Sequence, residues 1–195
     1  MDAEPRASHQ LSAGLPDEAF ATDGLLTKRA LRAYALAMLA PRAGELLWDL
    51  GAGSGSIGVE WCRLHAGNTV VAVERDAERR ARIEANARVH DVSGQVQVVG
   101  GDLAEVLATL PHPSAVFIGG GVRSDLVHRC WELLPSGGRL VAHSVTADSD
   151  AVLLDAYRVH GGELARIGVE IAEPLGRFTA FTPLRTVTAW AATKP

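Results

Sequence analysis

The chain has 195 residues, 47% of them hydrophobic and 22% charged, with 19 basic against 23 acidic side chains. That is one domain's length, enough to bury roughly 70% of the unfolded surface without disulfide staples, and the composition excludes a disordered, collagen-like or coiled-coil chain. A formal net charge of −4 argues against a general nucleic-acid binder, which carries a basic excess.

Residues 1–14, MDAEPRASHQLSAG, are polar, small and non-periodic, the pattern of a flexible tail or inter-domain linker; they lack the apolar stretch of a signal peptide. Residues 15–195 read as the domain. From Thr27 to Leu39, Leu31, Tyr34, Ala35, Met38 and Leu39 fall at helical spacing, with Thr27 as N-cap, and Pro41–Gly44 stops the helix. Apolar runs at 46–50, 69–74, 96–99, 115–119 and 139–145 then alternate with helical patterns at 58–65, 77–89, 103–110, 124–134 and 148–160. Strand alternating with helix predicts right-handed crossovers and a parallel sheet covered on both faces, and strands buried on both faces are almost wholly apolar, as these are. Residues 164–172 and 186–193 read as two strands joined without a helix, a terminal antiparallel pair. The expected fold is α/β and Rossmann-like, a mostly parallel seven-stranded sheet. No run approaches the ~20 apolar residues of a membrane span, so a soluble, cytoplasmic protein without membrane partners is expected. Cys62 and Cys130 have no metal-ligand spacing, so no metal is expected and both read as reduced, buried thiols.

The sharpest motif is Asp49-Leu-Gly51-Ala52-Gly53-Ser54-Gly55, directly after a strand and opening a helix. Glycines serve where the backbone turns tightly and a ligand comes closer than a Cβ allows. The free N–H groups of the following helix favour acceptor atoms or negative charge. Gly53, Gly55 and Gly58 also satisfy the dinucleotide fingerprint, with Glu74 near the distance of a ribose-binding acid. Asp49 before the glycines suits a cationic ammonium group better than a pyrophosphate. With Glu74 and Asp102, it places acids at the ends of the first three strands. An amino-acid head, a ribose diol and an adenine amine would meet those acids, which is the description of S-adenosylmethionine. Asp102 as a helix cap and Glu74 as a solvated strand end are the plainer readings of each acid.

With these residues in hand the chain resembles the class I S-adenosylmethionine-dependent methyltransferases. More narrowly, it resembles the decarboxylating precorrin-6B methyltransferases of cobalamin biosynthesis, free-standing (the CbiT family) or the C-terminal half of fused CobL-type C5,C15-methyltransferases. The resemblance runs from about Leu15 to Trp190 and rests on Leu15-Pro-Asp-Glu-Ala-Phe20, Thr27-Lys-x-x-Leu-Arg32, Trp48 to Glu60 around the glycine loop, and Phe117-Ile-Gly-Gly-Gly121. It implies that positions 51–55 hold the methionine part of the cofactor, near Asp49 and Gly119. It further implies Glu74 on the ribose, Leu103 beside Asp102 against adenine, and Thr27 closing over the cofactor. The implied reaction adds a methyl to C15 of a precorrin and removes the C12 acetate carboxyl as CO2. Free-standing relatives are tetramers, so a homo-oligomer is implied, and the tail before Leu15 would suit the detached half of a fusion with a C5-methyltransferase domain.

Methyl transfer from a sulfonium asks for alignment and exclusion of water. Gly119-Gly120-Gly121 lacks the Asn/Asp-Pro-Pro-aromatic motif of amine methyltransferases and offers an open platform for a large planar substrate, a flexible surface turn being the alternative. His143 is the nearest acid, base or positioning candidate, against a hydrogen-bonded structural histidine. A tetrapyrrole ringed by carboxylates needs guanidinium groups, and 17 of the 19 basic residues are Arg. Arg123, Arg177 and Arg185 are the expected substrate contacts, and Arg177→Ala is expected to raise KM for the tetrapyrrole. The competing functions are an NAD(P)-dependent oxidoreductase, an RNA methyltransferase and a non-catalytic module.

Overall fold

The computed structural model describes residues 12–195. After a 3₁₀ turn at Asp17–Ala19, the elements run α1 (Arg29–Leu39), β1 (Leu46–Leu50), α2 (Ser56–Leu64), β2 (Thr69–Val73), α3 (Ala77–Val89) and β3 (Val96–Val99). The chain continues through α4 (Leu103–Val106), β4 (Ala115–Ile118), α5 (Ser124–Leu133), β5 (Arg139–Ser144), α6 (Ala147–His160), β6 (Glu163–Ile167), β7 (Glu170–Leu175), β8 (Phe178–Pro183) and β9 (Val187–Thr193). Seven strands form one sheet in the order β3-β2-β1-β4-β5-β9-β6. The first five are parallel, and β9 runs antiparallel between β5 and β6.

Alternate strand residues feed two helical layers. Trp48, Leu50, Val116, Ile118, Leu140 and Trp190 pack with α5 and α6 through Leu126, Val127 and Leu153. Leu47, Val70, Phe117 and Val141 pack on the other face with Leu36 and Leu39 of α1 and Ile57 and Trp61 of α2. Each large apolar side chain removed from water contributes roughly 1.5–3 kcal/mol, so the two layers hold the sheet edge in a fixed shape.

The expected seven-stranded sheet with its antiparallel pair is present, but the 164–172 run divides. Gly168 separates β6 from β7, and the supposed irregular connection after it folds into a β7–β8 hairpin apart from the main sheet. Gly176, at φ +60°, and Arg177 form its two-residue turn between paired Leu175 and Phe178, with glycine in the first central position of a II′-type hairpin. Pro174 and Pro183 hid the strands, because proline in a run argues against a central strand; these strands have free edges.

The start of α1 also differs. Its N-cap is Lys28, whose side chain makes no capping bond. Asp17 does the work from twelve positions upstream, Oδ1 accepting from the Arg29 N–H at 2.9 Å. Thr27 instead offers its carbonyl to Arg32. The expected tail at 1–14 lies mostly outside the described residues; Gly14, its last residue, is buried and donates to Glu60.

Candidate active site

At the C-terminal edge of the sheet β1 must turn sharply to enter α2. Gly51, Gly53 and Gly55 take φ of +69°, +58° and +74°, where an L side chain is strained. The N–H groups of Gly51 and Ala52 both donate to the Val73 carbonyl, at 3.0 and 3.1 Å, and Gly55 donates to Ala52 at 2.8 Å. Gly55 is required sterically as well, since a Cβ there would lie 2.7 Å from Ile83 of α3. The buried Ser54 lends its carbonyl to Asn86 Nδ2 at 2.8 Å.

Asp49, just below this loop, is 1% exposed. Its Oδ2 accepts from the Gly58 N–H at 3.1 Å, while Oδ1 is buried with no partner. Burial first, and then the charge of Glu74, push the carboxyl up to about 7 against the opposing Gly58 bond. Glu74, buried at the end of β2, accepts from Gly53 N–H through Oε2 at 3.0 Å and from Asp76 N–H through Oε1 at 3.1 Å. One carboxylate thus tethers the glycine loop to the next strand. Asp102, at the end of β3, is exposed and caps α4, accepting from Ala104 N–H at 2.8 Å. Leu103 beside it is half-buried against the core. Because the strand order is β3-β2-β1, the three acids follow or end adjacent strands at the C-terminal edge of the sheet.

The second glycine loop adjoins the first. Gly119 N–H donates to the Leu50 carbonyl at 3.0 Å, and a Cβ on Gly51 would meet the Gly120 carbonyl at 3.1 Å. A Cβ on Gly119 would lie 3.0 Å from Phe117 Cε1, whereas Gly120 and Gly121 have nothing within 4 Å of where a Cβ would stand, so the open part of the platform is Gly120–Gly121. On β5, His143 meets Phe117 edge-on at 5.1 Å between centroids, with Tyr34 of α1 at 6.5 Å. The imidazole is 7% exposed, its Nε2 has no hydrogen-bond partner, and burial pushes it down to about 4. The expectation of a hydrogen-bonded structural histidine therefore fails at Nε2.

An N-terminal strap crosses this edge, with the Leu25 carbonyl 3.4 Å from where a Cβ on Gly53 would stand. Its anchors, Asn86, Asp23 and Arg32, are not among the expected site residues. Asn86 of α3 holds Ala21 in both directions, at 2.8 and 3.0 Å, and Asp23 pairs with Arg79 and Arg82. Arg32, fully buried, donates to Glu60, Asp17 and the carbonyls of Leu15 and Thr27. The available signal was a charged residue inside the apolar stripe of α1, beside Leu31, Ala35 and Leu36.

The three expected substrate arginines lie on separate elements. Arg123 follows the glycine platform but is paired with Asp125 at 3.2 Å. Arg177 sits at the hairpin tip, its guanidinium 4.9 Å from the Phe178 ring centre. Arg185 is exposed on the return to β9.

Known proteins place this geometry in a family. A family model described as a precorrin methyltransferase domain matches residues 18–194. The chain is 49% identical over 180 residues to the precorrin-6Y C(5,15)-methyltransferase (decarboxylating) of Mycobacterium tuberculosis, covering 92% of this chain and 45% of that protein. It thus spans about half the length of such relatives. A shorter Pyrobaculum aerophilum protein, named "Probable cobalt-precorrin-6B C(15)-methyltransferase (decarboxylating)", is 34% identical over 181 residues, with 89% of this chain and 92% of that one covered. The crystal structure of the C-terminal domain of precorrin-6Y C5,15-methyltransferase from Rhodobacter capsulatus superposes with a TM-score of 0.90 at 43% identity, covering 95% of this chain and all of that one. The fold is that of class I S-adenosylmethionine-dependent methyltransferases, and the chain belongs to the precorrin methyltransferase family.

Proposed function

We propose that this chain binds S-adenosylmethionine at the edge formed by β1, β2 and β3 and methylates C15 of a precorrin, with loss of the C12 acetate carboxyl as CO2. The observation that carries the cofactor assignment is the buried, unpartnered Oδ1 of Asp49 directly under a glycine turn. A buried carboxylate oxygen without a partner is costly, and a ligand ammonium group reaching the turn would satisfy it. Gly51, Ala52, Gly53, Ser54, Gly55 and Gly119 supply close backbone approach, Glu74 has lone pairs left for a diol, and Asp102 with Leu103 frames an adenine. The residues present therefore fit the cofactor. Thr27, half-buried in the strap beyond Leu25, closes over it.

When bound, the cofactor supplies a methyl group on a sulfonium centre. The chain's own part is positioning and water exclusion. The Gly119–Gly121 platform lets a flat substrate approach backbone, and the strap shuts out solvent. An apolar floor weakens solvation of the departing carboxylate, which favours CO2 loss. Arg123 and Arg185 remain the proposed contacts to other carboxylates of the ring.

No helix among the described residues is long and apolar enough to cross a membrane, and a cytoplasmic setting is proposed. A homo-oligomer, a tetramer by resemblance, is proposed from the β7–β8 hairpin. There Ile171, Leu175, Phe178 and Phe181 are 45–70% exposed, although a lone hairpin is at best marginally stable in water. A C5-methylating domain, fused or associated, is the proposed partner, because the relatives named for both positions are about twice this length. Two measurements test the reading. Calorimetry should show S-adenosylhomocysteine binding and no NAD or NADP binding; NAD binding alone would overturn it. Incubation with a precorrin and S-adenosylmethionine should change the mass by one methyl minus CO2.

A further inference from the structure

His143 pairs with Ala189 of β9, which pairs in turn with Ala165 of β6. On the other side, Ile118 pairs with both Ala142 and Leu50, so Gly119 and Gly51 stand one position further along, level with His143. Paired residues point to the same face, and the Phe117–His143 contact identifies it as the face covered by α1. From β1 toward β6 this rung reads Gly51, Gly119, His143, Ala189, Ala165, with Glu74 level with Gly51 on its other side. Between Gly51 and Ala165 the imidazole is the one side chain of the rung larger than a methyl group.

The next rung toward the open edge is apolar, with Val145 49% exposed, Val187 buried and Ile167 half-buried. On the α1 side, Tyr34 donates to Glu163 at 2.7 Å, which ties α1 to the start of β6 and occupies that acid. Between Gly51 and Ala165 the imidazole is thus the polar side chain of this rung, and its Nε2, closed to solvent, has no hydrogen-bond partner.

We propose that His143 is the hydrogen-bonding anchor of the substrate site, meeting a carboxylate arm of a planar, carboxylate-bearing ligand whose flat body rests on Gly120–Gly121 and Val145. This rests on the function proposed above for the class of ligand. Small floor residues admit a bulky, flat molecule, and the one hydrogen-bonding group fixes its rotation in the plane. Because burial favours the neutral ring, the group acts as a hydrogen-bond partner and not as the source of the proton that replaces CO2.

The test compares His143→Phe, which keeps an aromatic ring against Phe117, with His143→Gln, which keeps a donor at similar reach. KM for the precorrin, affinity for S-adenosylhomocysteine, melting temperature and binding of uroporphyrin, a flat tetrapyrrole octacarboxylate, are read for each. The expected result is a roughly ten- to hundredfold weaker KM and uroporphyrin affinity in His143→Phe, the scale of one hydrogen bond to a charged group. S-adenosylhomocysteine affinity and melting temperature should hold, with substantial recovery in His143→Gln. Unchanged KM and uroporphyrin binding in His143→Phe, or equal losses in both variants, overturn the anchor. If wild-type protein turns over no precorrin yet binds uroporphyrin in a His143-dependent way, the anchor stands and the reaction assignment falls.

Discussion

Arg32 Nε donates to Glu60 Oε1 at 2.5 Å across the α1–α2 interface, and the two side chains are 0% and 2% exposed. Glu60 also accepts from the Gly14 and Leu15 N–H groups, while Arg32 holds the Leu15 and Thr27 carbonyls. The pair pins both ends of the strap that crosses the glycine loop.

Arg32→Met leaves the buried Glu60 charge without its guanidinium, which should lower the unfolding free energy by roughly 3–5 kcal/mol in urea melts. Glu60→Leu should cost less, because Arg32 keeps Asp17 as a second carboxylate partner. The Arg32→Met/Glu60→Leu double variant should lose less than the sum. Additive losses would show that the two side chains act independently.

The proposed ammonium contact of Asp49 predicts proton-linked cofactor binding. Its carboxyl lies near 7 in the folded chain against 3.8 unfolded, so folding is undisturbed below pH ~4 and loses stability as pH rises toward 7. At 1.36 kcal/mol for each unit the loss is roughly 4 kcal/mol. An ammonium ligand restores the carboxylate, so S-adenosylhomocysteine binding at pH 7 should release about half a proton. Calorimetry in buffers of different ionisation enthalpy measures this. Asp49→Asn should abolish the release, weaken binding, and raise the melting temperature of the ligand-free chain at pH 8.

Glu74 joins loop tethering to the proposed ribose contact. Glu74→Ala removes the acceptor of the Gly53 N–H and should weaken S-adenosylhomocysteine binding roughly ten- to hundredfold. Glu74→Asp should retain most affinity, since either acid can bind a diol. Equal affinity in all three proteins would remove Glu74 from the site.

The hairpin predicts assembly. Phe178→Ser with Phe181→Ser should shift sedimentation from oligomer to monomer without changing S-adenosylhomocysteine affinity, because the hairpin stands apart from the cofactor loop. Arg177 gives a sharper question. Strands of six residues carry it ~20 Å from the sheet edge, so the expected rise in KM for Arg177→Ala requires a neighbouring subunit's site or a bent hairpin. An unchanged KM takes Arg177 out of the substrate contacts.

The alternation of apolar runs with 3.6-residue patterns determined the α/β order, because burial on both faces writes itself into each strand locally. The same holds for the Asp49–Gly55 turn, whose positive φ angles are a property of single residues. Other features are written nowhere locally. Asp17 caps α1 from twelve positions away, Arg32 finds Glu60 on another helix, and Asn86 joins Ala21 to Ser54. Each bond needs the chain to close on itself before donor and acceptor meet, so its partners carry no shared period in sequence. His143 is the plainest case. The sequence leaves it between an acid, base or positioning group and a hydrogen-bonded structural histidine, and only strand register sets it in a row of glycines and alanines with Nε2 left unpaired.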